Sequence, residues 1–489
     1  MVRRDAEKRE TGREKRDRSR SRHSERSEES GPLDTAERYD DAPREGPNPS
    51  LPLNVTAGAL ESLLGRLTPA VASAIDRALA GRDLSVGDTV TLFDCTGRDM
   101  QALVLAADYL RREQAGDLVT YVVNRNINFT NVCIKRCGFC AFSRDHRMEE
   151  GYLLPAEEIV RRAKEAWELG ATEVCIQAGL PPKMKGNLYL DLCRALKTEL
   201  PEIHIHGFSP EEVLYGSVRS RCSIREYVRR LKDAGVDSLP GTSAEVLVQE
   251  VRDRISPGRI TVDQWVEVIT SAHELGVPTT STIMYGHVET SEHKARHLAL
   301  LRDVQRRTGG ITEFVPLSFV HSEAPMYQKG LVEGIRDSAT GPEVVKMYAV
   351  SRLVLGRDIQ NIQVSWVKEG TRLAQLLLGA GANDFGGTLI NESISTAAGA
   401  QHGQLVRPAQ FRALIREMGR VPAERTTGYA VRRVFRDPAG DPVEALDTVE
   451  YDERRFGTFN VLLHLDDWRF KDTFVGVGGQ ATKERGGAP

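Results

Sequence analysis

The feature that most narrows the fold is an alternation of strand-like and helix-like stretches running through the middle of the chain. Candidate strands lie at 119–124, 173–177, 203–208, 237–239, 279–285, 313–317, 361–366 and 382–387. Amphipathic segments of helical length separate most of them, at 156–169, 224–234, 262–275 and 343–355. Several close on a helix-stop glycine, as in Leu169-Gly170, Ala234-Gly235 and Leu275-Gly276. Eightfold strand–helix alternation predicts an α/β fold, a parallel sheet closed into a (β/α)8 TIM barrel. An open doubly wound sheet is the alternative. No G-x-G-x-x-G follows a first strand, which weakens a dinucleotide reading.

In such a barrel the chemistry sits at the C-terminal ends of the strands. The first predicted strand runs directly into a loop, 131–142, that carries Cys133, Cys137 and Cys140 in a C-x3-C-x2-C spacing. Two thiolates would make a redox pair, and four a closed tetrahedral zinc site. Three on one tight loop fit a 4Fe–4S cluster with one open iron. The bland alternative is a zinc knuckle that borrows Cys175 or a histidine. Cys95, Cys175, Cys193 and Cys222 are otherwise read as small buried hydrophobes. The other strand ends are polar or glycine-bearing: Gln177-Ala178-Gly179, His206-Gly207-Phe208-Ser209, Pro240-Gly241-Thr242, Tyr285-Gly286-His287, Ser365-Trp366 and Asn383-Asp384.

Composition bounds the rest. With 489 residues, 40% of them hydrophobic, the chain can bury a large core, and its net charge of −3 gives no reason to expect a nucleic-acid partner. No apolar run reaches bilayer length, and the charged N-terminus lacks the apolar stretch of a secretory signal. An odd count of seven cysteines, three of them clustered, argues against a disulfide framework and for a reducing cytoplasm. Residues 1–50 read as a disordered charged tail. A helical cap is expected at 51–115, the barrel at 116–405, a helix and turn at 406–432, and a weakly ordered extension at 433–489 with one strand at 456–465.

The cysteine loop, with Phe139 just before its last cysteine, resembles the signature of the radical S-adenosylmethionine (SAM) superfamily. Other blocks carry the resemblance further, among them Asn124-Arg125-Asn126-Ile127-Asn128-Phe129-Thr130-Asn131, His204-Ile205-His206-Gly207-Phe208-Ser209-Pro210-Glu211-Glu212, Met284-Tyr285-Gly286-His287-Val288-Glu289 and Gln363-Val364-Ser365-Trp366-Val367-Lys368. From about residue 92 to 429 they resemble the FO synthase subunit 2 family of deazaflavin biosynthesis. The futalosine-pathway radical SAM enzymes of menaquinone synthesis share several blocks and are the rival reading. A non-catalytic iron–sulfur electron carrier is the remote one.

The resemblance implies that SAM chelates the open iron and is reductively cleaved, with an electron from a low-potential donor, to methionine and a 5'-deoxyadenosyl radical. That radical removes hydrogen from L-tyrosine, whose Cα–Cβ bond breaks to release 2-iminoacetate. The 4-hydroxybenzyl fragment joins 5-amino-6-(D-ribitylamino)uracil, and a partner, FO synthase subunit 1, closes the adduct on the way to coenzyme F(420). A single cysteine triad allows this chain only the second subunit's half.

Cys133, Cys137 and Cys140 become the cluster ligands on this reading. Phe139 is expected beside the adenine, and Gln177 and Gly179 near the methionyl end of SAM. Ser209 and Thr242 are candidate cofactor contacts. With Ser365, Trp366, Asn383 and Asp384 they also stand where ribityl hydroxyls and a uracil edge need partners. His287, with Tyr285, is the candidate for proton transfer from the phenol. Of His204 and His206, one is assigned to the barrel interior and one to the helices. Glu289 and Glu313 are candidate ammonium ligands or salt-bridge partners. The chain departs from the family pattern at Ala178, where a second glycine is usual, and at 181–187, where an acidic loop is usual.

Overall fold

The computed structural model describes residues 65–471; the expected tail at 1–50 lies outside them. Three helices lead in: Pro69–Leu79, Val86–Asp94 and Gly97–Ala115. The first buries Val71, Ala74, Ile75 and Ala78, spaced as one helical face. The second starts at a capping box in which Ser85 and Asp88 satisfy each other's backbone N–H groups.

Leu118–Val122 (β1) and Asn124–Ile127 (β2) follow one another almost without a break. Strand β2 pairs in parallel with Glu173–Ile176 (β3), which pairs with His204–Gly207 (β4). The next step is short: His206 bridges Ser238, and Leu239 bridges Thr279 at the start of Thr279–Tyr285 (β5). Parallel ladders continue through Ile311–Ser318 (β6) to Asn361–Ile362 (β7). Gln363 bridges Asp384 in Asp384–Gly387 (β8), and β8 returns to β1 at Thr120↔Asp384, with Arg125↔Ile390 above it. Parallel pairing therefore runs all the way round, and the expected barrel forms. The glycine after the helix Ala156–Glu168 does what the stop signal implied. Gly170 sits at φ +90°, a backbone conformation that side chains resist.

Three local expectations change. The seventh strand is only two residues long, because Trp366 opens the helix Trp366–Leu377 instead of ending a strand. The fourth is reduced to bridges at 238 and 239. The region 456–465 is not a strand: it holds the helices Glu453–Phe456 and Phe459–Leu462. Asp452 caps the first through the N–H groups of Arg454 and Arg455, and the left-handed Gly457 ends it. Phe456, Phe459 and Leu462 are buried, and their three-residue spacing suits a helical face rather than an alternating strand.

Below the barrel, Val421–Arg425 (β9) lies parallel to β1, and Val431–Val434 (β10) turns back antiparallel to it. The tip of this hairpin reaches inward. Arg425 donates to Asp384 (Nη2 to Oδ1, 3.0 Å), Thr427 donates to Glu173 (2.6 Å), and the Tyr429 hydroxyl bonds to Glu313. Among the described residues no helix is long and apolar enough to cross a membrane.

Candidate active site

At the C-terminal ends of the strands lies a cavity of about 380 Å³, within the range that holds a small-molecule ligand. Cys133, Cys137, Cys140 and Phe139 form part of its wall. The polar strand ends Gln177, Ser209, Thr242 and Ser365 open onto it, while Val315, Leu317 and Phe319 give it an apolar side.

The cysteine loop is held by backbone hydrogen bonds to three separate segments. Cys133 N–H donates to Arg144 (3.0 Å), Ile134 N–H to Leu180 (2.9 Å) and Gly138 N–H to Ile255 (2.9 Å). Gly179 explains how the loop can lie so close to β3. A β-carbon there would stand 2.3 Å from the Val132 carbonyl oxygen, and Gly179 N–H donates to Thr130 (2.8 Å). The glycine is thus needed for the approach of two backbones. Burial pushes the Cys133 and Cys137 thiols above their ordinary range, and the Arg259 guanidinium pulls the other way. Among the described residues no three His, Cys, Asp or Glu side chains converge on a point that one ion would fill. All three cysteines belong to one cavity wall.

Beside the loop, Arg259 lies over the Phe139 ring at 5.5 Å. It is anchored to Glu245, to Ser243 (2.7 Å) and to Glu211 (3.2 Å). Lys135 adds a second cation on Glu211 (3.2 Å). The Thr242 hydroxyl donates to Gln177 Oε1 (2.7 Å), so these two expected cofactor contacts form one pair across two strand ends. Ser209 is the N-cap of the helix Pro210–Ser220, and its hydroxyl and N–H both donate to Glu212 (2.6 and 2.8 Å). The other Glu212 oxygen accepts from Ala178 N–H (2.9 Å). Glu212 lines the cavity, and burial lifts its carboxyl to about 7. Nothing in the sequence sets it apart, because Ser-Pro-Glu-Glu has the form of an ordinary capping box, which it also is.

The candidates for proton transfer stand elsewhere. Neither His287 nor Tyr285 lines the cavity. His287 is fully buried; its Nε2 pairs with the Met284 carbonyl (3.0 Å) and its Nδ1 accepts from Val288 N–H (2.8 Å). Burial pushes its imidazole below the usual value, which favours the neutral ring. It is a satisfied core histidine that ties a turn together. Tyr285 is buried behind the wall. His204 and His206 share one face, as residues two apart on a strand must, and both reach the Ser238 hydroxyl (2.7 and 2.6 Å). The expected split, one histidine inward and one toward the helices, does not occur.

The remaining polar candidates divide by depth. Trp366 donates its indole N–H to Gly387 (2.9 Å), and Asn383 links Arg352 to β7. Asp384 and Glu313 belong to the Arg425 network at the barrel base. Glu289 holds the N–H groups of Gly286 and His287 and pairs with Arg336. Residues that composition and periodicity did not single out complete the cavity: Asn126, Arg259, Gln363, Lys368 and Glu392.

The model of the radical SAM superfamily matches residues 127–301, and that of the CofH/MqnC C-terminal region matches 308–437. The chain is 49% identical over 342 residues to the 5-amino-6-(D-ribitylamino)uracil--L-tyrosine 4-hydroxyphenyl transferase of Methanothermobacter thermautotrophicus, covering 70% of this chain and 92% of the relative. It is 48% identical to the protein of the same name from Methanopyrus kandleri, covering 69% and 90%. Among solved structures, the FeFe-hydrogenase maturase HydG from Carboxydothermus hydrogenoformans superimposes with a TM-score of 0.57 at 16% identity, over 76% of this chain and 83% of that one. That likeness concerns the fold alone. Two family models in tandem and near-complete coverage of the transferases place the chain: it belongs to the radical SAM family of 5-amino-6-(D-ribitylamino)uracil--L-tyrosine 4-hydroxyphenyl transferases.

Proposed function

We propose that this enzyme cleaves the Cα–Cβ bond of L-tyrosine and joins the 4-hydroxybenzyl fragment to 5-amino-6-(D-ribitylamino)uracil, releasing 2-iminoacetate. Methionine and 5'-deoxyadenosine leave with it. The observation that carries this reading is the cavity at the strand ends, which gathers the cysteine triad, polar strand ends and an apolar wall in a chain 49% identical to a transferase of that name.

The donor set fits a 4Fe–4S cluster. Three thiols face the cavity, and the fourth cysteine nearest in sequence, Cys175, is absent from its lining. Cys133, Cys137 and Cys140 would hold the cluster, with Gln177 and Gly179 beside them on the cavity wall to receive SAM. When bound, the cluster and SAM supply a carbon radical able to abstract hydrogen. The chain's own residues bind, orient and shield. The Gln177–Thr242 pair and Glu212 present acceptors on one side of the cavity, and Arg259 covers Phe139. Val315, Leu317 and Phe319 offer the phenol ring an apolar surface and keep water from it. Ser365 and Gln363 are left for hydroxyl and amide contacts with the second substrate. FO synthase subunit 1 is the partner that would take the product, and a reducing cytoplasm suits the free cysteines.

The test is an anaerobic turnover of the reconstituted, reduced protein with SAM, tyrosine and the ribityldiaminouracil, read by mass spectrometry. Tyrosine-dependent 5'-deoxyadenosine, 2-iminoacetate products and the hydroxybenzyl adduct are expected together. Deoxyadenosine without adduct would favour a futalosine-type substrate.

A further inference from the structure

Three cations line the cavity among the described residues: Lys135, Arg259 and Lys368. The first two are held in ion pairs with Glu211 and Glu245. Lys368 is different. Its ammonium donates to the Ser395 hydroxyl (3.2 Å) and forms no ion pair among the described residues. Glu392, also on the cavity wall, has its oxygens turned to the N–H groups of Ser395 (2.9 Å) and Thr396 (3.3 Å), and among the described residues no cation pairs with it.

Lys368 follows β7 and Glu392 follows β8, so the two charges stand on neighbouring strand ends. Lys368 feels both Glu392 and its chain neighbour Glu369, yet it forms an ion pair with neither. Backbone N–H groups already compensate Glu392, so the charge left without a counter-ion is the half-buried Lys368 ammonium facing the cavity. Burial already pushes the Lys368 ammonium below its ordinary range and the Glu392 carboxyl above its own. The ligand that answers this arrangement carries an anion and a cation on adjacent atoms and an apolar remainder.

Resting on the tyrosine reading above, we propose that Lys368 and Glu392 clamp the α-carboxylate and α-ammonium of the amino-acid substrate at the β7–β8 edge of the cavity. The ring then lies against Val315, Leu317 and Phe319. The clamp makes the enzyme selective for a free α-amino acid, whatever the ring contributes. SAM also carries an α-amino acid, so the test must tell the two ligands apart.

Equilibrium binding decides it, with the cluster-reconstituted protein titrated with SAM and then, in its presence, with L-tyrosine, tyramine or 3-(4-hydroxyphenyl)propionate. The unaltered enzyme should favour tyrosine over both analogues by at least about tenfold. Lys368→Met should lose about tenfold or more for tyrosine and little for tyramine, with Lys368→Arg in between. Glu392→Gln should lose the preference over the propionate. SAM affinity should stay within about twofold in all of them. If both variants bind tyrosine as the unaltered enzyme does, or if the loss falls on SAM, the clamp is wrong while the tyrosine reading stands. Equal binding of tyramine and tyrosine by the unaltered enzyme overturns it without any variant. No tyrosine binding at all removes the reading and the clamp together.

Discussion

At Gly179 a methyl group would have to occupy space 2.3 Å from a backbone oxygen of the cysteine loop. Gly179→Ala should therefore push the loop away from β3, costing about 1–3 kcal/mol in urea unfolding and lowering the iron retained after reconstitution. Unchanged stability and iron content would refute the close-approach argument. Glu212 gives a test by pH. Burial lifts its folded carboxyl to about 7, against an ordinary 4.5. Below 4.5 both folded and unfolded chains hold the proton; between 4.5 and 7 the unfolded chain releases it and the folded one keeps it, so stability falls as pH rises through that window. Relative to Glu212→Gln, the unaltered protein should lose up to about 3 kcal/mol between these limits. A difference that grows with pH instead would overturn the burial argument. Residue roles were the least legible part of the sequence. The cysteines announced themselves by spacing, whereas His287 showed only its position after a strand. What decides its role is that two backbone groups take both ring nitrogens.

Among elements, the β9–β10 hairpin has the largest structural consequence for its size. Its Arg425 is the cation that Asp384 and Glu313 share inside the barrel base. Arg425→Met should cost about 3–5 kcal/mol above neutral pH, with a smaller loss in acid, where Glu313, its carboxyl lifted by burial to about 7, holds its proton. Thermal melts at two pH values measure it, and a cost independent of pH would point to packing alone. The barrel's strands and the long helices were readable because caps, stop glycines and periodicity are local signals. The hairpin's inward reach was not, because it depends on carboxylates 41 and 112 residues away. The same limit misled the reading of 456–465, where a dense run of apolar residues concealed helical spacing.

Across the whole molecule, the segment that ends the described region buttresses the cysteine loop. Phe459 packs on Phe142 with ring centroids 5.2 Å apart, Leu153 N–H donates to Trp468 (2.8 Å), and Phe470 N–H donates to Gly151 (2.7 Å). Farther back, Arg125 in β2 donates to the Phe456 carbonyl 331 residues later. Phe459→Ala should cost about 3–5 kcal/mol and speed the loss of iron on dilution; iron retention equal to that of the unaltered protein would show that the segment does not brace the loop. These contacts also set an order of events during synthesis. A chain emerging from the ribosome exposes its three thiols long before residues 456–470 exist to brace them, and distant pairings close late in folding. The thiols thus pass through an interval in which the loop is made but unbraced. In that interval the thiols lack the aromatic cover that Phe459 later gives the loop, and stand more open to oxidation.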